Sequence, residues 1–101
     1  AGRCPQLAGL RFIWDSAAEP GARIVSAEVM MDGAYGPIDP AATYGVVTNN
    51  YVRNGGDGYK MFAGNDKNAY DFGPDLADVT AEYIARNAPY QPFTEGRITR
   101  R

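Results

Sequence analysis

The chain has 101 residues, of which 45% are hydrophobic, 22% charged and 12% aromatic, as expected for one globular domain or part of one. Ten Lys and Arg against twelve Asp and Glu give a net charge of -2, which disfavours nucleic-acid binding because that function normally requires a basic face. Apolar runs are far too short for a membrane span.

Two further absences exclude several classes of enzyme. The chain contains no histidine, which excludes Ser-His-Asp and Cys-His triads and His-bearing metal sites. Cys4 is the single cysteine, so an intramolecular disulfide is excluded. We expect the Cys4 side chain to be buried or half-buried among apolar neighbours.

The first predicted element is a long antiparallel hairpin. Leu10, Phe12 and Trp14 alternate with polar or less buried positions, which is the period of a strand with one buried face. A turn at residues 19–22 follows, with Pro and Gly at its central positions, and residues 23–31 alternate again as a second strand.

The middle of the chain is predicted as a surface loop followed by a third strand. Residues 32–42 are rich in Gly, Pro and Asp, which interrupt both helices and strand ladders. Residues 44–49 are rich in β-branched side chains and therefore favour a strand.

The last third is predicted to hold the one long helix. Residues 74–87 begin with Pro74, carry acidic residues near the helix start and place apolar side chains on one stripe. We expect this stripe to pack on a sheet, the helix to end at Ala88-Pro89, and residues 96–99 to add a short closing strand. The predicted fold is α+β, with an antiparallel-rich sheet and a C-terminal helix packed on it.

Residues 48–59 (TNNYVRNGGDGY) combine groups that suit a nucleoside. The ring of Tyr51 can stack on a base, the carboxylate of Asp57 can accept hydrogen bonds from ribose hydroxyls, and Gly55 and Gly56 allow close approach of the backbone. The same residue types also occur in ordinary turns, in which Tyr51 would be a core ring. Both interpretations are compatible with the local sequence.

Other phosphate and catalytic motifs do not fit. The glycines at residues 55–58 lack the Gly-Lys-Ser/Thr of a P-loop and the following helix of a dinucleotide fingerprint. The scattered carboxylates give no pair placed across a glycosidic bond. We expect this chain to run no reaction unaided.

The chain resembles the C-terminal domain of the 5'-nucleotidase family along nearly its whole length. The matching segments occur in the family's order: residues 2–11 (GRCPQLAGLR), 20–25 (PGARIV), 38–40 (IDP), 44–51 (YGVVTNNY), 54–59 (NGGDGY) and 95–98 (EGRI). The resemblance implies that residues 1–101 are the C-terminal portion of a substrate-binding domain, and that the catalytic metallophosphoesterase domain lies outside them.

The resemblance also implies roles for individual residues. Tyr51 takes the position of one of two aromatics that sandwich the base, Asp57 that of the carboxylate on the ribose hydroxyls, and Gly2 that of a glycine whose backbone lies against the base. The second aromatic of the clamp is expected upstream. Two divalent metal ions are expected in the N-terminal domain and no cofactor in this chain, which alone should be inactive.

Partners and location follow from the same resemblance. We expect a nucleoside or nucleotide substrate, association with the missing N-terminal segment of the same protein or self-association, no nucleic acid and no membrane span. The family implies a periplasmic or extracellular location. The alternative is a non-catalytic nucleotide-binding or protein-interaction module with the same fold.

Overall fold

The computed structural model describes residues 3–64 and 67–101. Helices and a sheet both occur, which confirms the predicted α+β class. The strands are β1 (Leu10–Trp14), β2 (Ile24–Met31), β3 (Ala34–Pro37) and β4 (Ile98–Arg100). The helices are α1 (Asn50–Arg53), α2 (Met61–Gly64) and α3 (Leu76–Arg86), with a 3-10 turn at Gly56–Gly58 between α1 and α2.

The elements divide between two compact units. The sheet unit comprises Pro5–Tyr44 and Phe93–Arg101 and contains the four strands named above. The helical unit comprises Gly45–Pro92 and, at the start of the chain, Arg3 and Cys4. The predicted nucleoside motif therefore lies in the helical unit.

The predicted hairpin forms the centre of the sheet. β1 pairs antiparallel with β2, with Phe12 opposite Ala27. The predicted turn is also confirmed: the Ala22 amide donates to the Glu19 carbonyl at 3.0 Å, and Gly21 has a φ of 93°, which glycine adopts without steric cost.

Two outer strands complete the sheet in the order β3-β2-β1-β4, and the outer strand β4 makes it mixed. The predicted closing strand is confirmed as β4, which runs parallel to β1 with Ile98 opposite Phe12. The prediction of an uninterrupted loop over residues 32–42 is wrong, because β3 pairs antiparallel with β2. Asp32 and Gly33 both have positive φ, 51° and 83°, which allows a tight turn directly into this edge strand.

The prediction of a third strand over residues 44–49 is also wrong. The segment forms no ladder, and its last residue, Asn49, instead caps the start of α1. Val47 is 100% exposed. β-branched residues favour a strand through packing against cross-strand neighbours, and this segment has none within the described ranges.

The long helix is confirmed as α3 with tighter bounds than predicted. Asp75, rather than Pro74, caps its start, because its side chain accepts from the Ala77 amide at 2.9 Å and the Asp78 amide at 3.2 Å. Asn87 caps its end, one residue before Ala88-Pro89. The packing of α3 on a sheet stays a prediction.

The chain exposes much more surface than its mass requires. Its accessible surface is 8544 Å², whereas a folded monomer of 10.9 kDa exposes about 5,600 Å², and two separate compact bodies of half that mass would together expose about 6,700 Å². No side chain in residues 3–64 and 67–101 is buried as a core residue would be. For the same reason Cys4 is exposed, contrary to the prediction.

Candidate functional site

Tyr51 is carried by α1, a helix of only four residues. So short a helix is unstable by itself, because nucleation costs more than one turn of hydrogen bonds returns. Side chains hold both of its ends: the Val52 amide donates to Asn49 Oδ1 at 2.8 Å, and Asn54 Nδ2 donates to the Asn50 carbonyl at 2.8 Å. Tyr51 is 59% exposed, so it is not the core ring of the alternative interpretation.

The two glycines after α1 serve different purposes. Gly55 has a φ of 94°, the left-handed conformation that ends the helix. A Cβ added to Gly56 would stand 2.5 Å from Tyr51 Cε1 and 2.6 Å from the Tyr51 carbonyl oxygen. The Tyr51 ring therefore lies against the Gly56 backbone, and glycine is required there to leave it room.

Asp57 occupies the middle of the 3-10 turn in a left-handed conformation, with φ 53° and ψ 24°. Asp tolerates this region better than most residues because its side chain is short and polar. The residue is exposed. An exposed carboxylate thus follows the Tyr51–Gly56 contact by one residue.

The far side of this turn is held by the start of the chain. The Tyr59 hydroxyl donates to the Arg3 carbonyl at 2.6 Å. The Arg3 guanidinium also lies close to Gly58, since a Cβ at Gly58 would stand 3.2 Å from Arg3 Cζ. The Tyr59 ring in turn stacks on Phe62 at a centroid separation of 5.9 Å. The turn that carries Asp57 is therefore held by contacts with residues distant in sequence.

Arg53, the last residue of α1, contacts two more segments. Its Nη1 donates to the Phe62 carbonyl in α2 at 2.7 Å, and its Nε lies 3.1 Å from Asp71 Oδ1. Its side chain is 24% exposed, less than that of Asp71 at 55%. This half-buried cation joins α1 to α2 and to the chain beyond it.

The structure brings together four of the five residues that the motif and the resemblance indicate. Tyr51, Gly55, Gly56 and Asp57 occupy one continuous helix and turn, whereas Gly2 lies outside the described residues. Sequence reasoning missed Arg53 and Tyr59. Their partners Arg3 and Asp71 lie far away along the chain, so these contacts leave no local pattern in the sequence.

The site presents groups that can stack on a ligand and accept hydrogen bonds from it. It offers an exposed aromatic ring, an exposed carboxylate and glycine backbone. Within the two described ranges, no cluster of three or more His, Cys, Asp or Glu side chains could bind a metal ion, so the metal ions that the resemblance implies do not fit these residues. In the same ranges, no helix has the length and apolarity needed to cross a membrane.

Comparisons with known proteins agree in pointing to one family. The model of the 5'-nucleotidase C-terminal domain matches residues 1–64. Similar proteins include an apyrase of Tabanus yao, 36% identical over 92% of this chain and 17% of the relative, and a snake venom 5'-nucleotidase of Macrovipera lebetinus, 31% identical over 97% of this chain and 25% of the relative. The human 5'-nucleotidase is 30% identical over 92% of this chain and 17% of its own length.

A solved structure extends the agreement to the fold. The chain matches the crystal structure of a 5'-nucleotidase precursor from Thermus thermophilus with a TM-score of 0.86 and 34% identity, over 92% of this chain and 18% of that structure. The chain thus spans a quarter or less of the length of each of these relatives. With the family model matching more than half of its residues, the chain belongs to the 5'-nucleotidase C-terminal domain family.

Proposed function

We propose that this chain is the nucleoside-recognition part of a 5'-nucleotidase-type phosphohydrolase. The observation that carries the proposal is the contact between the Tyr51 ring and the Gly56 backbone, which places an exposed aromatic next to the exposed Asp57. Membership in the 5'-nucleotidase C-terminal domain family supports a nucleotide as the substrate class.

In this proposal Tyr51 and Asp57 bind different parts of the substrate. The Tyr51 ring stacks on the base, and this contact contributes about 1–3 kcal/mol to binding. The Asp57 carboxylate accepts hydrogen bonds from the ribose hydroxyls, and each bond contributes about 1.5–3 kcal/mol. Gly55 and Gly56 form the turn that places these two groups at the substrate, and the backbone of Gly2 lies against the base. A flat base and a ribose are all that these groups recognise.

Hydrolysis itself is assigned to a separate N-terminal domain of a longer polypeptide. Two divalent metal ions held there would activate water and stabilise charge on the phosphoryl group. The residues of this chain bind and orient the nucleoside. We infer that the chain alone is inactive.

The large exposed surface supports a partner segment. Apolar side chains remain exposed in both units, including Ile24 and Met31 on β2 and Leu76 and Tyr83 on α3. We infer that the preceding segment of the same polypeptide covers much of this surface, and that copies of the isolated chain associate through it.

The relatives also support a location outside the cytoplasm. Several of them are venom 5'-nucleotidases. We propose a periplasmic or extracellular location, which subcellular fractionation tests.

The experiment that tests the proposed function is Asp57→Ala in the full-length protein. Loss of a charge-assisted hydrogen bond raises KM for a nucleoside monophosphate by roughly tenfold or more and leaves kcat nearly unchanged. Glu82→Ala, which removes an exposed carboxylate from α3, is the matched control and leaves KM unchanged.

Two outcomes contradict the proposal in different ways. An unchanged KM in Asp57→Ala refutes the role of Asp57 at the ribose. A full-length protein that binds nucleotides but hydrolyses none favours the alternative, a non-catalytic nucleotide-binding module.

A further inference from the structure

The Arg53 side chain connects three segments of the chain. It lies two residues after Tyr51 on α1, donates to the Phe62 carbonyl at 2.7 Å and pairs with Asp71 at 3.1 Å. Neither partner lies within the motif of residues 48–59. The guanidinium therefore ties the helix that carries the aromatic ring to the chain that follows the motif.

The contacts of Arg53 are important because α1 is too short to fix its own position. α1 has four residues, so its own hydrogen bonds determine its position poorly. The caps at Asn49 and Asn54 close its ends but attach it only to neighbouring residues. Arg53 adds contacts to residues 9 and 18 positions away, and the first of them, Phe62, lies in α2.

The two contacts of Arg53 differ in how much they stabilise the position of α1. Asp71 is 55% exposed, and ion pairs in contact with water contribute little. The bond to the Phe62 carbonyl is part-buried and charge-assisted, so its loss costs more. Lysine cannot reproduce both contacts from one planar group, because it presents a single ammonium instead of a fork of N–H donors.

We propose that Arg53 is a positioning residue for nucleoside recognition. It does not touch the substrate; it holds α1 so that the Tyr51 ring and the Asp57 carboxylate meet the same nucleoside. This inference rests on the proposed function, because it assumes that Tyr51 stacks on the base.

The test compares variants of the full-length protein. Arg53→Ala raises KM for a nucleoside monophosphate roughly tenfold with kcat nearly unchanged, Arg53→Lys gives an intermediate rise, and Asp71→Asn gives the smallest. Arg86→Ala is the matched control, since it removes an exposed arginine paired with Glu82 on α3, and it leaves KM unchanged. Circular dichroism confirms that each variant is folded.

A double-mutant cycle separates positioning from general stabilisation. If Arg53 acts by aligning the Tyr51 ring with the Asp57 carboxylate, the double variant Arg53→Ala/Tyr51→Ala raises KM by clearly less than the product of the two single effects, whereas independent effects would multiply. Multiplied effects overturn the proposal. If Arg53→Ala does not fold, the graded KM values of Arg53→Lys and Asp71→Asn carry the test, and unchanged values in both overturn it.

The failure of this inference is distinguishable from the failure of the proposed function. Asp57→Ala with a raised KM beside folded Arg53 variants with an unchanged KM refutes the role of Arg53 alone. Asp57→Ala with an unchanged KM refutes the nucleoside site itself.

Discussion

The ring of Tyr51 lies so close to Gly56 that a Cβ on the glycine would stand 2.5 Å from Tyr51 Cε1. Real Cβ atoms do not approach other atoms this closely, and the Tyr51 carbonyl, 2.6 Å away, leaves the glycine no room to shift. The proposed stacking surface is therefore built from a side chain and a glycine backbone together.

The first prediction concerns Gly56→Ala. The methyl group must displace the Tyr51 ring or the backbone of α1, so we expect a loss of about 1–3 kcal/mol in the free energy of unfolding and a raised KM. Thermal unfolding and steady-state kinetics of the full-length protein measure both. Gly73→Ala is the matched control, because a Cβ there meets nothing within 4 Å. Equal behaviour of the two variants would contradict the contact.

The second prediction separates the Tyr51 ring from its hydroxyl group. Tyr51→Phe keeps the stacking face and leaves KM for a nucleoside monophosphate nearly unchanged, whereas Tyr51→Ala raises it by roughly fivefold to a hundredfold. A phosphate ester without a base is the control substrate, because it has no stacking to lose. A Tyr51→Ala variant with the same KM as the parent would exclude Tyr51 from the base site.

The third prediction concerns the affinity of the isolated chain for adenosine. One stacking contact and the ribose hydrogen bonds are opposed by an association cost of at least about 4 kcal/mol, so we expect a Kd no tighter than millimolar. Isothermal titration calorimetry measures it. A micromolar Kd would mean that these residues form a complete site without an upstream aromatic.

The fourth prediction concerns the state of the isolated chain in solution. Its surface of 8544 Å² exceeds that of a compact monomer of its mass by about 3,000 Å², and large apolar side chains such as Leu76 and Tyr83 are exposed. We expect concentration-dependent association in sedimentation velocity and binding of a dye specific for apolar surface. Substituting Leu76 and Tyr83 of α3 by serine should weaken both signals.

A monomeric isolated chain would contradict this prediction. A monodisperse monomer without dye binding would show that these residues close a core unaided. It would remove the support for a covering segment from the same polypeptide.

Much of the secondary structure was predictable because its causes are local. The β1–β2 hairpin follows from alternating side chains around a Pro-Gly turn, and α3 from an acidic start, an apolar stripe and a terminal Ala-Pro. β3 was missed because Asp32 and Gly33 resemble the loop residues around them, although they form the tight turn into this strand. Residues 44–49 show the reverse case, in which strand propensity finds no cross-strand partner within the described ranges.

The candidate site, like the secondary structure, was only partly predictable from the sequence. The residue types at Tyr51, Gly55, Gly56 and Asp57 were enough to predict a nucleoside motif, because they lie close together in the chain. Their role in binding stays a prediction. The tie from Arg53 to Asp71 and the bond from Tyr59 to Arg3 were not predictable, because they join residues 18 and 56 positions apart.

Short-range order in the chain was enough to indicate the family, the central hairpin, the long helix and the motif residues Tyr51, Gly55, Gly56 and Asp57. The folded structure was needed to see that Tyr51 is exposed, that its ring leaves no room for a side chain at Gly56, and that Arg53 connects the short helix to α2. The physical reason is that a four-residue helix cannot position itself. Contacts from residues distant along the chain must hold it.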